Sequence, residues 1–279
     1  MSRTSHLKFD EIGYWSEVKL DILKDYATAY STIFCAEQQR GFFHVYIDAF
    51  AGAGLHISKT TGKFVPGSPL NALYVQPPFR EYYFIDLDQV KVSALKSLAG
   101  TRQEVHVYGG DCNRILLEDV FPNVQYQDFR RGLCLLDPYG LHLNWEPIQT
   151  AGRMKSVEIF LNFPVADINR NVLWRHPERV DPADIERMSA FWGDRSWQEI
   201  AYTTKKDLFG HREKEDNETI AEAFRRRLQK VAGFKYVPHP LPMRNSRGAV
   251  VYYLFFASQK PAGERIVEDV FEKHRRRGI

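Results

Sequence analysis

Apolar positions change their spacing several times along the chain. Over residues 15–34 they recur at helical intervals: Trp15, Val18, Leu20, Ile22, Leu23, Tyr26, Ala29 and Tyr30 form one stripe, with lysines and aspartates opposite. That spacing predicts an amphipathic helix. Short, nearly continuous apolar runs follow at residues 42–50, 81–88, 104–111, 132–140 and 156–164, each ending in a polar or glycine-bearing corner. Helical spacing separates them, at residues 69–75, 89–98, 113–120 and just after Trp145. Buried runs alternating with helices predict βαβ units and a mostly parallel sheet.

Beyond Pro164 the spacing turns irregular and helical through residue 201, and a polar segment then leads to residue 217. A helix over 218–231 is expected next, capped by Asn217, followed by a strand at 234–237. A long apolar strand over 248–259 and a last helix over 263–275 complete the prediction. Neither a linker nor an internal repeat interrupts the chain. The expectation is one α/β domain over 1–279, with a helical N-terminal extension at 1–40 and a helical insertion at 166–217.

With 279 residues, 44% of them hydrophobic, the chain can bury a substantial core. A net charge of +3 excludes a polycation, although basic residues cluster at Arg225-Arg226-Arg227, Arg244 to Arg247 and His274 to Arg277. Such clusters read first as solvated helix faces and second as a nucleic-acid footprint. Cys35, Cys112 and Cys134 show no CxxC spacing for zinc or an iron–sulfur cluster, and the nine histidines show no ligand spacing, so no metal is expected. Reduced thiols in apolar segments predict a cytoplasmic protein. The opening residues MSRTSHLKFDEIG lack the apolar core of a signal peptide, and no run approaches the roughly 20 apolar residues of a membrane span.

The chemistry is expected at the corners, because ligands of open α/β sheets bind beyond the carboxyl ends of the strands. The first corner, Asp48-Ala49-Phe50-Ala51-Gly52-Ala53-Gly54, offers glycines that permit a close backbone approach. It lacks the Gly-Lys-Ser/Thr ending of a phosphate loop. Ser68 and Pro69 mark a delayed helix start, leaving residues 55–65 as a loop and candidate lid. Asp86 ends the second run where a sugar hydroxyl pair would lie, and Asp88 reads as a helix cap. Asp111 is either a cap or an acceptor for an adenine amino group. The fourth corner is Asp137-Pro138-Tyr139-Gly140 and the fifth Asn162-Phe163-Pro164.

Together Asp48-x-Phe50-x-Gly52-x-Gly54, Asp86 and Gly110-Asp111 resemble the class I S-adenosylmethionine-dependent methyltransferase fold. Its Rossmann-like sheet is mostly parallel with an antiparallel last strand. More narrowly, YIDAFAGAG, the delayed GSP, LLDPYG and YYLFFASQKP are similar to the three-Cys-motif partner proteins (the TcmP family), over residues 15–271. The resemblance implies an S-adenosyl-L-methionine pocket lined by Asp48, Phe50, Gly52, Gly54, Asp86 and Asp111. It also implies a methyl-transfer corner at Asp137, Pro138 and Tyr139, and a three-Cys-motif protein as partner.

DPYG is similar to the D/N-P-P-Y/F tetrad of enzymes that methylate amino groups of nucleic acids. An exocyclic amine is a weak nucleophile because its lone pair is delocalised into the ring. A carboxylate and a backbone carbonyl can accept its two hydrogens and localise that pair, while the tyrosine stacks on the base. The expected activity is therefore N-methylation of a nucleic-acid base or nucleotide. Trp174-Arg175-His176 and Arg244 to Arg247 are candidate phosphate contacts, and His142 is the histidine nearest the site in sequence. The competing expectation is a silent methyltransferase-like binding module. A nuclease or hydrolase finds no matching motif.

Overall fold

Seven strands form the central sheet of the computed structural model, which describes residues 9–37, 41–206 and 212–276. They are β1 (Phe43–Asp48), β2 (Glu81–Asp86), β3 (Val105–Gly109), β4 (Arg130–Leu136), β5 (Val157–Phe163), β6 (Leu241–Arg244) and β7 (Val250–Ala257). Their spatial order is β3-β2-β1-β4-β5-β7-β6. The first five are parallel, β7 runs antiparallel to β5, and β6 runs antiparallel to β7. The chain is thus a Rossmann-like mixed α/β fold. Strand order reverses between β1 and β4, where Asp48 stands in register with Leu135.

Alternation along each strand feeds two cores. Val45, Ile47, Cys134, Leu136, Ile159 and Leu161 pack on one face, and Tyr46, Phe84, Leu133, Leu135 and Phe160 on the other. Burial on both faces explains why these strands read as continuous apolar runs. The helices are α1 (Tyr14–Ala36), α2 (Ser68–Tyr74), α3 (Gln89–Ala99), α4 (Cys112–Ile115), α5 (Trp145–Met154), α6 (Val165–Asn171), α7 (Pro182–Trp192), α8 (Trp197–Ala201), α9 (Asn217–Arg227) and α10 (Pro261–Arg275). α1 packs against α10, and Asp25 accepts from Lys273 at 2.7 Å and pairs with His274 at 2.9 Å.

Several expectations need correction. Residues 55–65 are no plain loop: Leu55–Ser58 and Phe64–Pro66 pair as a hairpin, and Asp10–Ile12 adds to it in parallel. Only an isolated bridge, Tyr236 to Ser258, occurs in the predicted strand at 234–237. The edge strand is β6 instead, where Pro242 is tolerated because an edge has N–H positions with no neighbour to serve. Asp216 rather than Asn217 caps α9, accepting from Thr219 N–H at 2.7 Å. Gly67 precedes α2, and Ser68 makes no cap.

Residues 1–8 and 38–40 of the expected extension, 207–211 of the expected insertion with His211, and Arg277 lie outside the described residues. Among the described residues, no helix is long and apolar enough to cross a membrane. No group of three or more His, Cys, Asp or Glu side chains is placed there to hold a metal ion. Burial pushes the Cys112 thiol up to about 12 and raises that of Cys134 as well, so both act as small apolar groups.

Candidate functional site

At the reversal of strand order, the carboxyl ends of β1, β4 and β5 open into a cleft of about 470 Å³. Its walls include Phe50 and Gly52 after β1, Asp137, Pro138 and Tyr139 after β4, and Asn162 at the end of β5. The volume suits a drug-sized or cofactor-sized ligand. Sequence-distant corners therefore meet in one space. Of the predicted cofactor residues only Phe50 and Gly52 line it; Asp48, Gly54, Asp86 and Asp111 are not among the lining residues.

Behind the cleft wall, the glycine loop is held by a carboxylate. Gly52 N–H donates to Asp86 Oδ2 at 2.8 Å, and Asp88 N–H donates to Asp86 Oδ1 at 2.9 Å. Asp86 thus locks the glycine loop to the β2 corner and keeps lone pairs for a further donor. Gly52 adopts φ +66°, a left-handed conformation that a side chain would strain. Asp88 caps α3 through Val90 N–H at 2.8 Å, as the sequence predicts. Asp111 caps α4 through Asn113 N–H at 3.0 Å.

Asp48 is fully buried. Its Oδ1 accepts from Phe50 N–H at 3.2 Å, while its Oδ2 has no partner. Burial pushes its carboxyl up to about 7 against the opposing pull of Ser68 and the Phe50 N–H. Two polar atoms of residues that line the cleft are likewise buried without partners: Asn162 Oδ1 and His56 Nδ1. Buried polar groups are nearly always satisfied in native proteins, so Asn162 Oδ1 and His56 Nδ1 in the cleft wall are open to a polar ligand, with Asp48 Oδ2 behind them.

Sequence reasoning missed the residue that dominates the electrostatics. Lys19 lies on the buried side of α1, not among the solvated lysines, and donates to Asp137 Oδ2. Burial lowers its pKa, but Asp137 and the neighbouring Tyr252 oppose that and leave it raised, so Lys19 is protonated. Its amine also stands 5.3 Å from the Tyr252 ring centroid.

Tyr139 is 61% exposed, and its hydroxyl donates to Asp10 at 3.2 Å. Lys91 donates to the same Asp10 at 2.7 Å and stands 5.4 Å from the Tyr139 ring. The N-terminal strand therefore pins the aromatic residue at the cleft mouth. Gly140 adopts φ +59°, with Asp167 Oδ2 only 2.8 Å from where a β-carbon would stand, which explains glycine in the fourth place of the corner.

His56, from the hairpin, is the histidine in the cleft wall; His142 is exposed and not among the lining residues. Burial lowers the His56 pKa, keeping it neutral near pH 7. The basic clusters are engaged elsewhere. Arg225 and Arg226 pair with Glu222, Arg227 with Asp194, and Arg244 donates to Gly248 O at 2.8 Å. Trp174 donates from Nε1 to Arg170 O at 2.6 Å.

No protein-family model matches the chain, and no curated protein matches it in sequence. Solved structures do. A Legionella pneumophila str. Philadelphia 1 protein of the family DUF519 is similar over 95% of this chain and 94% of its own, with TM-score 0.52 and 13% identity. A proposed methyltransferase from Thermobifida fusca YX is similar over 87% of this chain and 82% of its own, with TM-score 0.41 and 14% identity. At 13% identity the first is a likeness of fold alone, and the second is weaker still.

Proposed function

We propose that the chain is an S-adenosyl-L-methionine-dependent methyltransferase acting on an exocyclic amino nitrogen of a nucleic-acid base or nucleotide. The observation that carries this reading is the meeting of Asp137, Pro138 and Tyr139 with the Gly52 loop in one cleft where strand order reverses.

The residues present fit the cofactor. Asp48 Oδ2 and Asn162 Oδ1 are orphaned acceptors suited to ammonium or amine donors. Lys19 supplies a buried cation suited to a carboxylate. Asp86 keeps acceptor capacity suited to a ribose diol, and Gly52 leaves its backbone open to close approach. Phe50 offers an apolar wall, while Asp48, Gly54, Asp86 and Asp111 would act from outside the lining. When bound, the cofactor supplies an electrophilic methyl group.

The protein's task is then to orient and activate an amine. Asp137 and the Pro138 carbonyl accept its two hydrogens, concentrating the lone pair on nitrogen. Because Lys19 neutralises Asp137, the carboxylate accepts a hydrogen bond more readily than a whole proton, so the proton lost by the methylated nitrogen would pass to solvent at the cleft mouth. Tyr139 offers a ring for stacking, worth about 1–3 kcal/mol per base. No described residue of the 166–217 segment lines the cleft, so it would meet only a substrate that reaches beyond it.

A second reading is favoured by one observation: Asp137 is already paired with Lys19, and Tyr139 is already held by Asp10. A methyltransferase-like module that docks on a three-Cys-motif protein would keep such a spent corner. Incubation with methyl-labelled cofactor and transfer RNA, ribosomal RNA, oligonucleotides or free nucleotides separates the two. Label in an amino-methylated base, absent with Asp137→Ala, supports the enzyme. No transfer to any of these by a chain that binds the cofactor favours the module.

A further inference from the structure

At the opposite end of the sheet from the cleft lies a second cavity, of about 310 Å³, between the ends of α1 and β7 and the starts of β4, β5 and α10. One part of its wall is aromatic, with Tyr30, Phe34, Phe42 and Tyr126.

Arg131 stands in that wall and is only 8% exposed. Its Nη1 donates to the carbonyls of Arg130 at 2.7 Å and Tyr126 at 3.2 Å. The guanidinium lies 3.9 Å from the Tyr126 ring centroid and 5.0 Å from that of Phe42. No carboxylate among the described residues forms an ion pair with it, whereas its neighbour Arg130 pairs with Glu81. A buried charge without a counter-ion is costly, and ring faces offset only part of that cost.

Two acids, Glu37 and Glu158, line the same cavity; Glu37 stands at the end of α1, and Glu158 does not serve Arg131. Its oxygens are taken by the Tyr26 hydroxyl at 2.5 Å and the Ser258 hydroxyl at 2.7 Å. Burial also raises its pKa, which disfavours the charge Arg131 would need.

Positive potential gathers on the other side of the cavity too. Lys260 has its amine 5.7 Å from the same Tyr126 ring. It occupies the cap position of the 15-residue α10 without any side-chain cap, and Pro261, Ala262 and Gly263 of the first turn line the cavity. Uncapped first-turn N–H groups favour an anion. Lys260 and Arg131 converge on the Tyr126 phenol closely enough to lower its pKa.

We propose that this cavity is a second binding site, for a small organic anion with a flat apolar body. Its charged group would lie between Arg131 and the start of α10, and its ring against the aromatic wall. The site is independent of the methyl-transfer reading.

Saturation-transfer NMR on the full chain tests it, with benzoate and phenyl phosphate as probes and benzylamine as the cationic control. At least one anion should bind with a dissociation constant at or below about 1 mM, and the tighter one identifies the headgroup. Arg131→Met should weaken that binding about tenfold or more, and the exposed Lys260→Glu about threefold. Saturable binding of neither anion, or equal binding of benzylamine, overturns the proposal. Unchanged affinity in folded Lys260→Glu overturns it too, even if Arg131→Met fails to fold.

Discussion

Lys19, on the first long helix, donates to the carboxylate of Asp137, 118 positions further along the chain. The lysine side chain is 10% exposed and the aspartate 26%. Removing one member of such a pair strands the other charge, costing about 3–5 kcal/mol when both are deeply buried. The part-exposed Asp137 lowers that figure, so Lys19→Met should cost about 1–3 kcal/mol by chemical denaturation. Lys19→Met with Asp137→Leu should recover most of the stability and none of the methyl transfer. A purely additive double-mutant cycle would show that the two residues do not interact.

Asp48 gives a pH signature. Its folded-state pKa, about 7, lies above its ordinary value of 3.8 because burial disfavours the charge. The folded state therefore holds a proton that the unfolded state releases. This group's contribution is fully present below 3.8 and is lost as pH rises through about 7, on the order of 4 kcal/mol. Asp48→Asn should flatten the fall in stability across that window and raise the melting temperature relative to the parent above pH 7. Parallel stability–pH curves for parent and variant would contradict this.

Much of the sheet is legible in the sequence because its inner strands are buried on both faces and end in distinctive corners. Asp137-Pro138-Tyr139 reads as a site because proline and glycine alone explain a turn but not the acid and ring beside them. Lys19 is illegible for the opposite reason: a lysine on an amphipathic helix looks solvated until a carboxylate from another element comes to meet it. The segment 55–65 reads as a loop because Asp10–Ile12, which extends its hairpin, is a three-residue strand without a repeating pattern. β6 is hidden by Pro242, which argues against a central strand but not an edge.

Tyr139 separates ring from hydroxyl. Tyr139→Phe keeps the stacking surface and loses only the exposed bond to Asp10, so turnover should stay within a few-fold and stability within about 1 kcal/mol. Tyr139→Ala should reduce transfer by about tenfold or more, in line with a lost stacking contact. Steady-state kinetics on one methyl acceptor decide between equal and unequal effects.

Gly152 offers a test of packing away from the cleft. A β-carbon there would lie 2.2 Å from the Ala232 carbonyl oxygen, where α5 meets the turn after α9. Alanine normally gains about 1 kcal/mol over glycine inside a helix. Here the clash should reverse the sign, giving a net loss of about 1–3 kcal/mol by thermal unfolding.

The cleft at the reversal of strand order is the centre of this account, and calorimetric titration with S-adenosyl-L-methionine and S-adenosylhomocysteine tests it most directly. Micromolar binding is predicted for the parent, nearly unchanged in Asp137→Ala, and lost in Gly52→Val, where the left-handed backbone refuses a branched side chain. No binding of either compound by the folded parent, or undiminished binding in folded Gly52→Val, would contradict the assignment of the cleft as a cofactor site.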